Sequence, residues 1–223
     1  MHSFKALRVE ADFFLIRHGE SQGNRDRKIQ GLTDLPLTEQ GIYHAQESGK
    51  WFRGKNLSRV ISSTLQRAEQ TARLIMAEAE IAPECLELKP GIEELDTGIF
   101  SNKNFDEIRE AFPELYREFR AHSWEVVPQA EPIASLEKRA IAHWDYLVGL
   151  ANNGHRVILT VTHVGFLQWL FKTSYRTGWQ TWMPLISVAN CGIFHIFVSP
   201  RESQQGNSFH AEWKIVNYTA YQR

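Results

Sequence analysis

Three groups of polar residues in this sequence are of the types that bind anions and carry out nucleophilic chemistry. Each group follows a short apolar segment, and the groups are Arg17, His18 and Glu20; Ser62, Ser63 and Arg67; and His163. If the groups meet, two guanidiniums and two imidazoles form a local anion site. Phosphate suits this combination, because an arginine fork matches two phosphoryl oxygens and an imidazole can attack phosphorus as a covalent nucleophile.

Each of these residues also has a structural interpretation when it is taken alone. A histidine at a strand end is often a satisfied structural residue, and an arginine on a helix is usually solvated. His18, His163 and Glu20 are possible zinc ligands, but two arginines would repel a dication and the sequence has no His-x-x-x-His pair. We therefore expect neither a metal nor another cofactor at this site.

The elements around the first two groups alternate between strand and helix. Residues Ala11–Arg17 form a short apolar run that predicts a buried strand. Thr38 is a predicted helix cap, and apolar residues at helical spacing continue until Gly54. A second strand is predicted at Arg59–Ser62 and a second helix at Thr64–Ala79.

The rest of the chain continues this alternation. The predicted elements are a strand at Cys85–Lys89, a helix at Phe105–Arg120 interrupted at Pro113, a helix at Ile133–Leu150, a strand at Arg156–Thr162, a helix at Val164–Phe171, and strands at Ser187–Val198 and Glu212–Tyr218. The last two strands are expected to form a hairpin at a sheet edge. The proline-flanked segment Ser123–Pro132 is expected to be loose.

This order of elements predicts a single α/β domain over residues 1–223. Its architecture would be a three-layer sandwich, with a mostly parallel central sheet and helices on both faces. Ligands of such sheets bind beyond the carboxyl ends of the strands. Because His18, Arg67 and His163 all follow predicted strands, they should converge there.

Composition excludes several classes of protein. The 223 residues include 25 basic and 26 acidic side chains, so the net charge of −1 creates no overall field for nucleic acid or anionic lipid. The two cysteines, Cys85 and Cys191, are too few for a disulfide framework. No apolar stretch approaches the ~20 residues that span a bilayer, and no signal peptide is recognised. We expect a cytoplasmic protein that binds neither nucleic acid nor membrane.

Five motifs resemble, in order, those of the histidine phosphatase superfamily, the phosphoglycerate mutase-like proteins. They are Leu15-Ile16-Arg17-His18-Gly19-Glu20-Ser21 with Asn24; Gln30-Gly31 with Asp34, Pro36, Leu37, Thr38 and Gly41; the run from Ser62 to Ala72; Glu94-Leu95-Asp96 with Gly98; and Val161-Thr162-His163-Val164-Gly165. The resemblance covers residues 12 to about 170, and the shared order of the five motifs makes it specific.

The resemblance implies a role for each matching residue. His18 would be the nucleophile that takes the phosphoryl group, and Glu94 would protonate the leaving group, with Glu93 as the rival acid. The other matches would bind substrate: Arg17, Arg67 and His163 through the phosphoryl oxygens, and Asn24, Gly31 and Val164 through further contacts.

Three segments depart from the family pattern and bear on the substrate rather than on the chemistry. Phe100-Ser101-Asn102 stands where many relatives have Trp-Glu-Gly, Ile133-Ala134-Ser135 stands where they have Gly-Glu-Ser, and Gln22-Gly23 replaces a bulkier pair. Aromatic residues are expected in or beside segments over the mouth of the site, most of them as packing: Phe100, Phe105, Trp124, Trp179 and Trp182.

Three functions are compatible with the resemblance. The first is a metal-independent phosphomonoesterase of the histidine acid phosphatase type, which hydrolyses a small phosphorylated substrate through phosphohistidine. The second is a cofactor-dependent phosphoglycerate mutase, which needs extra basic residues above the pocket. Among the basic residues between Glu94 and the predicted strand Arg156–Thr162, only Lys103 lies in the loop nearest Glu94. Most of the others lie on predicted helices, at spacings from acidic residues that are typical of solvated ion pairs. The third is a non-catalytic phospho-ligand binding protein, which would need no acid at the leaving group.

Overall fold

A six-stranded sheet runs through the part of the chain that this computed structural model describes, which is residues 3–175, 186–201 and 208–221. In chain order its strands are β1 Ala11–Arg17, β2 Arg59–Ser62, β3 Leu86–Leu88, β4 Val157–Thr162, β5 Ile193–Arg201 and β6 Ser208–Tyr218. Their order across the sheet is β3-β2-β4-β1-β5-β6. The first four in that order are parallel, and β5 and β6 form an antiparallel hairpin at one edge. The mostly parallel sheet expected from the sequence is confirmed.

Seven α-helices accompany these strands in the same described ranges. They are α1 Gln22–Arg25, α2 Glu39–Phe52, α3 Gln66–Glu78, α4 Phe105–Ala111, α5 Pro113–His122, α6 Ile133–Asn152 and α7 Val164–Ser174. Thr38 caps α2 as expected, since its hydroxyl accepts a hydrogen bond from the backbone N–H of Gly41 at 3.0 Å. Pro113 separates α4 from α5 and occupies the first turn of α5, where a missing N–H costs nothing.

The alternation of side chains along β1 builds a core on each face of the sheet. Phe13 and Leu15 pack on one face with residues of α6 and α7, among them Trp144. Phe14 and Ile16 pack on the other face with residues of α2 and α3. The helices therefore cover both faces, as the three-layer architecture requires.

A third apolar cluster lies apart from these two cores and is built mainly by α4, α5 and the segments around them. Its buried members are Phe100, Ile108 and Val127. Trp124, in a short 3-10 helix at Ser123–Val126, packs edge-on against Phe119 with ring centroids 5.0 Å apart. The segment expected to be loose therefore begins with an ordered turn. No helix among the described residues is long and apolar enough to cross a membrane.

The parallel register brings the carboxyl ends of β1, β2 and β4 to the same end of the sheet. Arg17 lies opposite Thr162, and Ser62 lies opposite Val161. The ladder continues one residue beyond β1, because the N–H of His18 donates to the carbonyl of Thr162 at 2.9 Å. The three chemically notable groups in the sequence consequently meet, as expected from the strand order.

Two predicted element boundaries were wrong around the last strands. β5 begins at Ile193 rather than Ser187, and β6 begins at Ser208 rather than Glu212. The residues ahead of β5 turn across the end of β1, where the N–H of Cys191 donates to the carbonyl of Arg17 at 3.1 Å. Their apolar side chains are buried in that turn, which gave them the pattern of a strand.

Candidate active site

A cavity of about 290 Å³ lies at the carboxyl ends of the parallel strands. Seven of the eight residues expected at the site line it: Arg17, His18, Asn24, Gly31, Arg67, Glu94 and Val164. The eighth, His163, lies beside the cavity, with its ring centroid 5.1 Å from that of His18. The structure therefore brings the predicted residues together around one cavity, and it gives the orientation of each group.

The side chain of His18 is held in one tautomer. Its Nδ1 lies 2.7 Å from the carbonyl oxygen of Gly19, which can only accept, so Nδ1 carries the proton and Nε2 keeps its lone pair. Burial and the charges of Arg17 and Arg67 lower the pKa of His18 well below its usual value. The imidazole is therefore neutral near pH 7, with Nε2 as its nucleophilic atom.

The backbone next to His18 is fixed by close packing against other elements. The N–H of Gly19 donates to the hydroxyl of Thr71 on α3 at 2.9 Å. A Cβ atom at residue 19 would come within 2.6 Å of the carbonyl oxygen of Gly41, so only glycine fits this close approach. His18 thus lies on a closely packed turn between β1 and α1.

The two arginines are oriented by backbone carbonyls rather than by carboxylates. Arg17 donates to the carbonyl of Val188 at 2.9 Å, and Arg67 donates to the carbonyls of Thr33 and Gly31 at 2.8 and 2.9 Å. The Nε atoms of both arginines are buried and have no hydrogen-bond partner in the described part of the chain. An anion that accepts these hydrogen bonds would satisfy groups that are otherwise costly to bury.

Glu94 presents a buried carboxyl group to the same cavity. Its Oε1 accepts hydrogen bonds from the N–H groups of Leu95 and Gly165, both at 2.9 Å, which leaves Oε2 to carry a proton. Burial raises the pKa of Glu94, although the two N–H groups and the arginines act in the opposite direction. A Cβ atom at residue 165 would lie 2.4 Å from Oε1, so Gly165 is required for this contact.

The rival acid, Glu93, is directed elsewhere. Its Oε1 accepts a hydrogen bond from the hydroxyl of Thr64 and its Oε2 accepts one from the N–H of Gly91, both at 2.7 Å. Glu93 does not line the cavity that holds His18, whereas Glu94 does. The geometry therefore favours Glu94 as the acid.

His163 is buried beside His18 and is hydrogen-bonded to the residue that follows β2. Its Nε2 lies 2.8 Å from the hydroxyl of Ser63, and its Nδ1 has no hydrogen-bond partner among the described residues. Burial, followed by the influence of His18 and Arg67, lowers the pKa of His163 well below its usual value. A neutral second imidazole therefore stands next to the first.

Asn190 is a site residue that the sequence did not reveal. Its amide donates to the carbonyl of His18 at 3.1 Å and to Oδ1 of Asn24 at 3.0 Å. The Asn24 oxygen also accepts from the N–H of Ser21, so the amide NH₂ of Asn24 is left to face a ligand. Asn190 is itself held by the hydroxyl of Tyr221 through its carbonyl, at 2.7 Å. No local pattern points to Asn190, which lies 172 residues after His18.

The five aromatic residues expected near the mouth have different surroundings. Trp124 lines the cavity, Phe100 is fully buried in the third apolar cluster, and Phe105 is exposed. Trp179 and Trp182 lie outside the described residues. Of the segments that depart from the family pattern, Gly23 approaches Gln30 so closely that a Cβ would meet its side chain at 2.5 Å.

The basic residues weighed for a mutase do not line the cavity. Lys103 pairs through its backbone with Ile29, and Arg109 and Arg117 form exposed ion pairs on α4 and α5. Arg139, another basic residue between Glu94 and β4, is not solvated. It is mostly buried, forms an ion pair with the carboxylate of Glu131 at 2.6 Å, and also donates to the carbonyls of Gly91 and Glu93.

Glu20, which was weighed as a zinc ligand, is engaged by a neighbouring hydroxyl. Its Oε1 accepts a hydrogen bond from Thr38 at 2.7 Å. Across the described residues, no group of three or more His, Cys, Asp or Glu side chains has an arrangement that could hold a metal ion.

Comparison with known proteins identifies the family of this chain. Residues 13–205 match the histidine phosphatase superfamily (branch 1). The chain belongs to the histidine phosphatase superfamily. This confirms the family inferred from the five motifs.

The proteins to which this chain is similar carry the names of phosphoglycerate mutases and of phosphatases. A probable phosphoglycerate mutase of Yersinia pestis (strain Pestoides F) is 33% identical over 134 residues, which span 59% of this chain and 60% of the relative. The structure of a putative alpha-ribazole-5'-P phosphatase from Escherichia coli matches with a TM-score of 0.75 and 23% identity, over 93% of this chain and 96% of that one. The structure of a phosphoserine phosphatase from Entamoeba histolytica in complex with 3-phosphoglyceric acid matches with a TM-score of 0.72 and 25% identity, over 94% of this chain and 98% of that one.

Proposed function

We propose that this protein is a metal-independent phosphomonoesterase that hydrolyses a small phosphorylated substrate through a phosphohistidine on His18. One observation carries the proposal. The Nδ1–H of His18 is bonded to the carbonyl of Gly19, so a neutral imidazole offers Nε2 to a cavity that also holds two arginines and the buried acid Glu94. Binding of a phospho-ligand alone would require the cations but not a poised nucleophile and acid.

The first half of the reaction transfers the phosphoryl group to the protein. Nε2 of His18 attacks phosphorus and forms the P–N bond while the P–O bond to the alcohol breaks. The departing oxygen takes the proton from Oε2 of Glu94, so a neutral alcohol leaves. The carbonyl of Gly19 stabilises the positive charge that the imidazole gains in this step.

The second half of the reaction regenerates the protein. The carboxylate of Glu94 takes a proton from water, and the resulting hydroxide attacks phosphorus as the P–N bond breaks. Orthophosphate leaves, His18 recovers its lone pair and Glu94 recovers its proton. One water molecule is consumed for each ester bond broken.

The arginines supply the charge that phosphoryl transfer requires. Arg17 and Arg67 stay positive, and both are held by carbonyls rather than neutralised by carboxylates in the described structure. Fixed cations around the transferring group stabilise the charge that develops on its oxygens. His163 would add a neutral hydrogen-bonding group beside them.

We expect chelators to leave the rate unchanged, since Arg17 and Arg67 occupy the role that metal ions have in other phosphoryl-transfer enzymes. The measurement is the steady-state hydrolysis of 4-nitrophenyl phosphate before and after incubation with EDTA. A loss of activity that added zinc or magnesium restores would contradict the proposal.

The second candidate is a cofactor-dependent phosphoglycerate mutase, which is favoured by the printed name of the Yersinia pestis relative. Such an enzyme must hold a second anionic group and keep water from the phosphohistidine. In the described part of the chain, the cavity has one cation besides the two arginines, which is Lys28. This shortage of positive charge supports hydrolysis as the main reaction.

Product analysis separates the two candidates. With phosphomonoesters we expect steady release of inorganic phosphate and little exchange between 2- and 3-phosphoglycerate, because water reaches the phosphohistidine. If exchange outran hydrolysis tenfold, a difference of ~1.4 kcal/mol in competing barriers, the mutase would replace the phosphatase. A protein that released no phosphate from any ester would instead be a phospho-ligand binding protein.

A further inference from the structure

Most residues that line the active-site cavity fall into two chemically different sets. The set already described surrounds the phosphoryl position. The other set, which we call the leaving-group wall, consists of Lys28, Ile29, Leu95, Trp124 and Val164. Four of these five residues are apolar. The three remaining lining residues, Gln30, Thr97 and Gln168, are polar, but each side chain already has a hydrogen bond within the protein, to Ser21, to Ser101 and to the carbonyl of Ile186. The wall is therefore suited to a hydrocarbon or aromatic group.

The apolar part of the leaving-group wall is held in place by packing. Trp124 lies edge-on to Phe100 and Phe119, with ring centroids 6.2 and 5.0 Å away. Ile29 packs on the same cluster, and Leu95 is buried. A surface fixed in this way binds an apolar group at a low cost in side-chain entropy.

Lys28 is the exception in this wall. Its backbone is fixed, since its N–H donates to the carbonyl of Gly23 at 2.8 Å. Its side chain takes part in none of the ion pairs formed among the described residues. A half-buried ammonium beside apolar groups interacts strongly with an anion, because the surrounding dielectric is lower than that of water.

We propose that the substrate is a phosphomonoester of an alcohol with an apolar body and a single carboxylate, and that Lys28 binds this carboxylate. This rests on the proposed function and extends it to the substrate class. One ammonium balances one negative charge, whereas a second phosphate dianion would keep an uncompensated charge against Ile29 and Trp124. The cavity of about 290 Å³ suits a substrate of metabolite size.

The test uses two esters that differ in one charge. They are 4-(2-carboxyethyl)phenyl phosphate and its neutral primary amide, whose phenol leaving groups are closely similar. We expect the wild-type protein to prefer the acid roughly tenfold or more in kcat/KM, mainly through KM, as a charge-assisted hydrogen bond provides. In Lys28→Met this ratio should fall to near one, and Lys28→Arg should retain most of it.

Lys103→Met is the matched control, because Lys103 is a neighbouring lysine that does not line the cavity. Its ratio should equal that of the wild type. A wild-type ratio near one, or a preference that survives Lys28→Met, would overturn the proposal.

The same ratio can be measured without turnover, which separates this proposal from the proposed function. Calorimetric titration of His18→Ala with both esters gives the ratio of their Kd values. A tenfold preference there that Lys28→Met removes would support the Lys28 subsite even if the wild-type protein hydrolysed neither ester. Equal Kd values would reject the subsite even if hydrolysis were fast.

Discussion

Replacing His18 by alanine is expected to reduce the rate of phosphomonoester hydrolysis by a factor on the order of 10⁴ or more. The substitution removes the atom that forms the P–N bond, and losses of this size follow when a covalent nucleophile is deleted. His18 lines a cavity rather than filling the core, so the fold should persist. The measurement is kcat for 4-nitrophenyl phosphate, with circular dichroism and thermal unfolding to verify folding.

His122→Ala is a suitable control for this variant. His122 lies at the end of α5 with its side chain 59% exposed, and its ion pair with Glu118 is at the surface. Its removal should leave the rate within about twofold of wild type, as surface substitutions usually leave a protein little changed. If His18→Ala kept more than a hundredth of the wild-type rate, another residue would have to be the nucleophile.

Glu94→Gln is expected to slow hydrolysis by about 10²- to 10⁴-fold for an alkyl phosphate and only slightly for 4-nitrophenyl phosphate. The amide cannot protonate an alkoxide, whereas a nitrophenolate leaves without a proton. The comparison is made on kcat/KM, which reports the transfer to His18. Glu93→Gln is the matched control, since that carboxylate is bonded to Thr64 and Gly91 outside the cavity. Equal losses for both esters would show that Glu94 is not the acid.

The pH dependence of kcat/KM is a second test of the role of Glu94. Burial raises the pKa of its carboxyl group, so the group keeps its proton to a higher pH than an exposed glutamate does. For an alkyl phosphate, kcat/KM should therefore fall as pH rises through this pKa, and Glu94→Gln should lack that fall. The lowered pKa of His18 keeps its Nε2 unprotonated well into the acid range. If the fall of kcat/KM at high pH were unchanged in Glu94→Gln, a group other than Glu94 would be responsible for it.

The positions of the central strands could be predicted from local sequence, because these strands are short apolar runs with polar ends. β1 and β2 have the predicted bounds. β5 does not, since Val188 is buried by a turn that packs on the end of β1, and a buried turn has the same apolar pattern as a strand. The one-turn helix α1 was missed because its stability depends on a reciprocal cap between Ser21 and Asn24 rather than on periodicity.

The residues of the candidate site likewise include some that local sequence reveals and some that it does not. His18, Arg67 and His163 could be found because each follows a strand and is of a type suited to phosphate. Asn190 and Lys28 could not, since neither follows a predicted strand or lies within one of the five motifs. Asn190 matters because the fold brings it to the carbonyl of His18, and Lys28 matters because the fold places it in the lining of the cavity.

The phosphohistidine is the central claim, and rapid-quench trapping tests it most directly. The wild-type protein is mixed with phenyl [³²P]phosphate, quenched within milliseconds and divided between acid and alkali. The account predicts a label on His18 that is stable in alkali and lost in acid, as expected of a phosphoramidate, and that is absent from His18→Ala. A label that survives acid, as a phosphoserine ester does, would contradict it.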